Sequence, residues 1–258
     1  MISSPDNPHI KHLRQLLTQA KARRRHRQTV LEGVHLLQAA LNADRLPEKV
    51  FVPHSQTDNA EIKGCLKAVD AARVVLIDDK IAAQIGTLSQ GANVLSLIDI
   101  LPAPTVQTNI DCVLLENIQD PGNVGTILRS AAATGIKYVL TDKHCADLWS
   151  PKVLRAAMGA HFGLHLSEGV DLIAFLQSFS GSLHITTLTH ATRKSLYELN
   201  LQTLGAWVFG NEGAGVSPEL AACAPYGVTI PMDENTESLN VAMAASVCLF
   251  EQMRQRLP

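Results

Sequence analysis

Two short apolar runs, residues 206–209 and 228–230, are each followed by a loop unsuited to core packing. Runs this brief, bounded by turn residues, predict buried strands. The loop behind the first carries Gly210, Gly213 and Gly215. The loop behind the second carries Asp233, Glu234, Asn235, Thr236, Glu237 and Ser238. In an open α/β sheet, ligands bind beside the carboxyl ends of the strands, where such loops gather. The pattern predicts a bound small molecule rather than a bare scaffold.

The remaining chain alternates in the same way. A proline-containing polar stretch, 102–109, separates an N-terminal α/β domain, 1–105, from a second domain, 106–258. In the first, helices are expected around 8–22, 29–43, 59–72 and 79–85, with strands at 49–53, 73–77 and 93–99. In the second, strands are expected at 112–115, 138–140, 162–166, 184–188, 206–209 and 228–230. Helices fall at 122–134, 150–158 and 171–179, after Ser217-Pro218, and from about Ser238 to Arg256. Repeated βα units predict a mainly parallel sheet with helices on both faces.

The totals narrow the class. With 46% hydrophobic and 18% charged residues, the chain is not wholly disordered. It has no apolar run of the ~18 residues of a membrane helix and no signal-peptide core, so a cytoplasmic protein off the membrane is expected. Cys65, Cys112, Cys145, Cys223 and Cys248 show no ligand spacing and are read as free buried thiols. His161 and His165 stand four apart in a strand-like segment without an acidic partner, so no metal is expected. A serine-hydrolase G-x-S-x-G elbow is absent from the sequence.

Charge is unevenly spread. Residues 1–105 hold 13 Lys and Arg against 10 Asp and Glu, a balance of +3; residues 106–258 hold 9 against 14, or −5. In the first thirty residues Lys11, Arg14, Lys21, Arg23, Arg24, Arg25 and Arg27 face only Asp6. Two readings compete: a solvated helix end, or a surface that binds a phosphate backbone by displacing counterions.

Three segments carry candidate chemistry. In 116–130 a strand end and a Pro121-Gly122 turn lead into a helix. Its apolar stripe is Val124, Ile127, Leu128 and Ala131; Asn123, Thr126, Arg129 and Ser130 are expected on the opposite side. Asn123 and Arg129 are either a cap and an exposed arginine, or a pair set to hold a phosphate or ribose. In 210–215 the glycines run G-x-x-G-x-G, which is not the dinucleotide order, and the P-loop lysine is missing. Such a loop suits a ligand held by main-chain groups, with Glu212 either an acceptor for a ligand hydroxyl or a plain turn carboxylate. In 236–241, Ser238 is expected to cap the last helix. That helix is apolar along Leu239, Met243, Val247, Phe250 and Met253 and on a second face, predicting burial by its own core and by a partner subunit.

Together, ENIQDPGNVGTILRSAAATG, WVFGNEGAGVSPEL and IPMDENTESLNVAMAASVCLFE resemble the three ordered motifs of the SpoU (TrmH) family of RNA ribose 2′-O-methyltransferases in the SPOUT superfamily. The likeness covers roughly 111–256; the first hundred residues resemble the substrate-binding domain that many members carry. The resemblance implies a trefoil-knotted sheet, S-adenosyl-L-methionine as methyl donor, and a homodimer. Catalytic roles fall on Asn123, Arg129, Glu212, Ser238 and Asn240. Donor contacts fall on Leu188, Thr189, Gly210, Ile230 and Leu239, with Asn211, Gly213 and Met232 of the same loops as further candidates. With the basic N-terminus, it favours large-subunit ribosomal RNA as substrate. Transfer RNA and a catalytically silent RNA-binding assembly factor are the alternatives.

Overall fold

The computed structural model describes residues 1–86, 94–187 and 190–258, in two compact units. The first comprises Met1–Pro102 together with Trp149–Phe162, the second Ala103–Leu148 together with Gly163–Pro258.

In the first unit, helices α1 (Pro8–Thr18) and α2 (Ala20–His26) precede strand β1 (Gln28–Glu32) and helix α3 (Val34–Asn42). Then come β2 (Lys49–Pro53), α4 (Ala60–Leu66), β3 (Val74–Ile77), α5 (Asp79–Ile85) and β4 (Leu95–Asp99). The sheet order is β1-β4-β2-β3; β4 runs antiparallel to both neighbours and β2 parallel to β3. Apolar side chains of α1 and α5 cover one cluster, including Ile10, Leu13, Phe51 and Ile81, and α3 and α4 cover another around Leu37, Val52 and Ile62.

The helix expected over 29–43 is a strand, a turn and a helix. Gly33, at φ 92, turns the chain between them, and residues 28–32 pair with β4. The helix expected over 8–22 breaks at Gln19, whose backbone is extended. The segment 149–162 belongs to this unit: Thr29 Oγ1 donates to the Trp149 carbonyl at 2.8 Å, and Arg155 pairs with Glu32 at 3.3 Å.

In the second unit β5 (Cys112–Leu115) leads through α6 (Pro121–Ala133) to β6 (Tyr138–Thr141). Helix α7 (Pro151–Ala157) lies in the segment already described, and β7 (His165–Ser167), α8 (Leu172–Ser178), β8 (Ser182–Thr186) and β9 (Arg193–Ser195) follow. The chain closes with β10 (Gly205–Phe209), α9 (Pro218–Ala221), β11 (Gly227–Thr229) and α10 (Val241–Arg256). All seven strands are parallel, in the order β7-β6-β5-β10-β8-β11-β9. Every residue of the central strand β10 is buried, as expected where both faces of a parallel sheet are covered.

Local differences from expectation have local causes. The segment around His161 forms a 3-10 turn, Ala160–Gly163, with the buried His161 ring beside Trp149; β7 starts only at His165. Strand β9 was not anticipated, because three polar residues carry no apolar signal. Ser130 is buried, since its hydroxyl meets Ser246 of α10 at 2.7 Å. Cys145 and Cys223 are half-buried rather than buried. Among the described residues no helix is long and apolar enough to cross a membrane.

Helix α10 is fastened at its C-terminal end. Arg256 pairs with Asp111 at 2.6 Å and donates to the Leu201 and Thr203 carbonyls; Gln252 accepts from the Trp207 indole. Beneath it His184 lies against Trp207 with ring centroids 4.7 Å apart and is 2% exposed. Burial, with Arg256 adding a smaller push, lowers the imidazole to about 4, so the folded protein holds it neutral. The unfolded chain protonates the same ring near 6.5. This group's contribution is therefore intact above that pH and lost as pH falls toward 4, by roughly 3 kcal/mol. Thermal melting between pH 7 and 4 is expected to show a steeper decline for the wild type than for His184→Phe.

Candidate active site

The three motif segments are more than a hundred residues apart at their extremes, yet two side-chain hydrogen bonds join them. Asn240 Nδ2 donates to Asn123 Oδ1 at 2.9 Å, and Asn123 Nδ2 donates to Glu212 Oε1 at 3.0 Å. Both sides of the Asn123 amide are thereby engaged, which fixes which way it faces. Each partner is positioned by its own element. Asp120 caps α6, accepting from Asn123 N–H at 2.8 Å with Pro121 in the first turn, so Asn123 emerges at the helix start. Asn240, not Ser238, caps α10: its Oδ1 accepts from Ala242 and Met243 N–H. The same amide thus starts a helix with its oxygen and reaches α6 with its nitrogen.

Glu212 sits in the turn behind β10. This turn closes tightly: Gly215 N–H donates to the Asn211 carbonyl at 2.9 Å. A Cβ placed on Gly210 would stand 2.3 Å from both the Gly215 carbonyl carbon and the Val216 nitrogen. Only glycine permits that approach. Asn211 Oδ1 accepts from Gly213 and Ala214 N–H at 3.0 Å each, leaving Glu212 exposed at the tip.

Beside this turn is a cleft of about 300 Å³, at the carboxyl ends of β8, β10 and β11. Gly210, Asn211, Glu212, Gly213, Ile230, Met232, Ser238 and Leu239 line it, all of them anticipated. Leu188 and Thr189, expected to contact a ligand here, lie outside the described residues. Thr186, Thr187, Val228, Thr229, Val241 and Ala244 also line the cleft and were missed. Their signal is positional, since they end β8 and β11 or begin α10. The lining combines the glycine-rich 210–215 turn with the apolar side chains of Ile230, Met232, Leu239 and Val241, while the Thr186 and Thr229 hydroxyls donate to the Val208 and Lys194 carbonyls. That mixture suits an amphipathic ligand of nucleoside size.

Arg129 follows Asn123 by six residues in α6, about 9 Å along the axis. It is exposed, does not line the cleft, and makes no hydrogen bond or ion pair among the described residues.

The cations expected to meet a phosphate backbone lie in α1 and α2. Arg14, Lys21, Arg24, Arg25 and Arg27 are exposed, and Lys11 is exposed while paired with Asp6 at 2.9 Å. Arg23 corrects the expectation: it is 5% exposed and its Nη1 donates to the Leu16 carbonyl at 2.5 Å. It links α2 to α1 instead of facing solvent.

A parallel sheet whose glycine and acidic loops meet in a cleft at the strand ends defines a small-molecule-binding α/β domain with polar side chains at the rim. The chain belongs to the SpoU rRNA methylase family, whose model matches residues 112–250. A second model, the MRM3-like substrate binding domain, matches residues 7–96. Over 99% of its length the chain is 35% identical to an uncharacterized tRNA/rRNA methyltransferase of Synechocystis, covering 94% of that protein. It is 27% identical to the 23S rRNA (guanosine(2553)-2′-O)-methyltransferase of Bacillus subtilis, with 96% and 97% of the two chains covered. The AdoMet-bound rRNA methyltransferase of Sinorhizobium meliloti superposes with a TM-score of 0.83 at 27% identity, covering 100% of this chain and 98% of that one.

The double duty of Asn240 is separable. Asn240→Ala removes the cap and is expected to cost about 1 kcal/mol, or roughly 2–4 °C in melting temperature. Asn240→Asp keeps the accepting oxygen at a helix start that favours negative charge but loses the donor to Asn123, and is expected to melt between Asn240→Ala and the wild type. Differential scanning calorimetry of the two variants checks this.

Proposed function

We propose that this protein transfers a methyl group from S-adenosyl-L-methionine to a ribose 2′-hydroxyl of RNA, with large-subunit ribosomal RNA as substrate. The observation that carries the reading is the meeting of all three motifs, through Asn240, Asn123 and Glu212, at the rim of one cleft. The named activities of the Bacillus and Sinorhizobium relatives support it. The cleft residues fit the donor: main-chain groups of the 210–215 turn suit its polar parts. The side chains of Ile230, Met232 and Leu239 suit its apolar surface. When bound, the donor supplies an electrophilic methyl group on a sulfonium.

The chain's own residues position and polarise. Methyl transfer requires the attacking oxygen, carbon and leaving sulfur near one line, so holding the ribose still supplies much of the rate. Glu212, with one oxygen on Asn123, is assigned to accept from a ribose hydroxyl, and Ser238 and Asn240 to orient the same sugar at the cleft mouth. Arg129 is assigned to clamp the adjoining phosphate and to stabilise negative charge as the oxygen loses its proton. A guanidinium stays protonated throughout, so it is not assigned as the base.

The same reading extends to assembly and address. The outer face of α10 exposes Met243 and Phe250 at 56 and 48%; Leu239 precedes the helix at 39% and Leu257 follows it at 57%. This face is assigned to a second copy of the chain, giving a homodimer with two sites. The sheet of the 106–258 domain is assigned a C-terminal trefoil knot, residues 1–105 are assigned to RNA binding, and the protein to the cytoplasm, with no membrane or metal partner. Lys11, Arg14, Lys21, Arg24, Arg25 and Arg27 are assigned to the RNA backbone.

Arg129→Ala is expected to abolish label transfer from tritiated S-adenosyl-L-methionine into RNA while calorimetric donor affinity stays within about twofold of wild type. Retained turnover would remove Arg129 from the mechanism. Charge reversal at Arg24 and Arg25 is expected to weaken RNA binding and to flatten the slope of log affinity against log salt by about two. An unchanged slope would return those arginines to a purely structural helix end. Mapping 2′-O-methyl sites in RNA from cells with and without the protein identifies the nucleotide, and label appearing only in transfer RNA would overturn the ribosomal assignment.

A further inference from the structure

Asn117 follows β5 by two residues and holds φ 52, one of four non-glycine positions with left-handed backbone among the described residues. Asparagine and glycine tolerate that region, and a β-branched residue is strongly disfavoured there. The conformation directs both main-chain polar groups of Asn117 at side chains of other loops. Its N–H donates to Asp142 Oδ1 at 3.1 Å, and its carbonyl accepts from Asn211 Nδ2 at 2.9 Å.

Each of these partners organises a loop of its own. Asp142 Oδ1 also accepts from His144 and Cys145 N–H at 3.0 Å each, which fixes the loop after β6. That loop is clamped further onto the β5 loop: Ile118 N–H donates to Cys145 Sγ at 3.3 Å, and Ala146 N–H to the Ile118 carbonyl at 2.9 Å. Asn211 holds the 210–215 turn with its oxygen, accepting from Gly213 and Ala214, while its nitrogen reaches Asn117 at 2.9 Å and Glu212 Oε2 at 3.4 Å. Two acceptor sites and two donors are all the amide has, so Asn211 has nothing left to direct at a ligand. Its contribution to the cleft is the placement of the turn, and that placement is anchored on the carbonyl of Asn117.

We propose that Asn117 is a positioning residue for the methyl donor. Its left-handed backbone sets the glycine turn, through Asn211, at the separation from the α6 loop that the donor requires. The proposal rests on the reading of the cleft as the donor site. Rotating Asn117 out of the left-handed region would turn its N–H or its carbonyl away from its partner and release the turn, while α6, α10 and the sheet stay in place. The effect is expected on donor binding rather than on the chemical step.

The test compares Asn117→Gly, which keeps the backbone conformation, with Asn117→Val, which resists it. Donor affinity is measured by calorimetry with S-adenosyl-L-methionine, donor KM and kcat by label transfer into ribosomal RNA, and folding by thermal melting. The glycine variant is expected within threefold of wild type in donor Kd. The valine variant is expected to raise both Kd and donor KM at least tenfold, with kcat at saturating donor within threefold. Should the valine variant not fold, Asn211→Asp decides. It leaves residue 117 unaltered, keeps the oxygen that holds the turn, removes the donor to the Asn117 carbonyl, and is expected to bind the donor at least tenfold more weakly. Wild-type affinity in a folded valine variant or in Asn211→Asp, or equal damage from glycine and valine, overturns the proposal while the cleft reading stands. Failure of the wild-type protein to bind the donor overturns the cleft reading, and this proposal falls with it.

Discussion

The site depends on how closely the backbone can approach itself behind β10. With 2.3 Å between a would-be Gly210 Cβ and the atoms of Gly215 and Val216, the turn closes only because no side chain is present. Closure presents Glu212 at the tip and keeps one wall of the cleft as bare main chain. The loop is then held from outside, by Asn211 on Asn117 and by Asn123 on Glu212. A tight turn tied at both ends is a rigid wall, and rigidity is what a site needs when its work is alignment.

Two other features serve that wall. Parallel strands with both faces covered place the loops after β5, β10 and β11 at the same, carboxyl ends of the strands. Helix α10 locks the arrangement at both ends, with Asn240 reaching Asn123 at its start and Arg256 reaching Asp111 at its finish. Its inner face packs on the unit's own core through Ala242, Ala245, Cys248 and Leu249 while its outer face stays apolar and uncovered. The helix that holds the third motif therefore also carries the surface assigned to a second subunit.

Much of this was legible before any coordinates. Strands 49–53 and 112–115 and helix 79–85 have the predicted bounds, because turn residues or a capping aspartate mark each end. Strand β1 was not legible: Val30, Val34, Leu37 and Leu41 recur at helical spacing across it, and only the tertiary pairing with β4 overrides that period. Gly33 was the available warning. Similarly, Ser238 and Asn240 are both good caps, and only the observed N–H partners decide for Asn240. The arginine run looked uniform in sequence, yet the crossing of α1 and α2 buries Arg23 alone.

The sequence by itself determined the alternation of strands and helices outside β1 and β9, the class of sheet, and the residue types a ligand would meet. Those follow from local periodicity and from glycine, proline and capping chemistry, which act over a few residues. Tertiary structure decided which groups touch: that Asn123 is shared between Glu212 and Asn240, that Asn211 is spent on Asn117, and that residues 149–162 join the first unit. The physical reason is that a hydrogen bond between residues a hundred positions apart is fixed by strand order and helix packing. Neither quantity is written in any window of the chain.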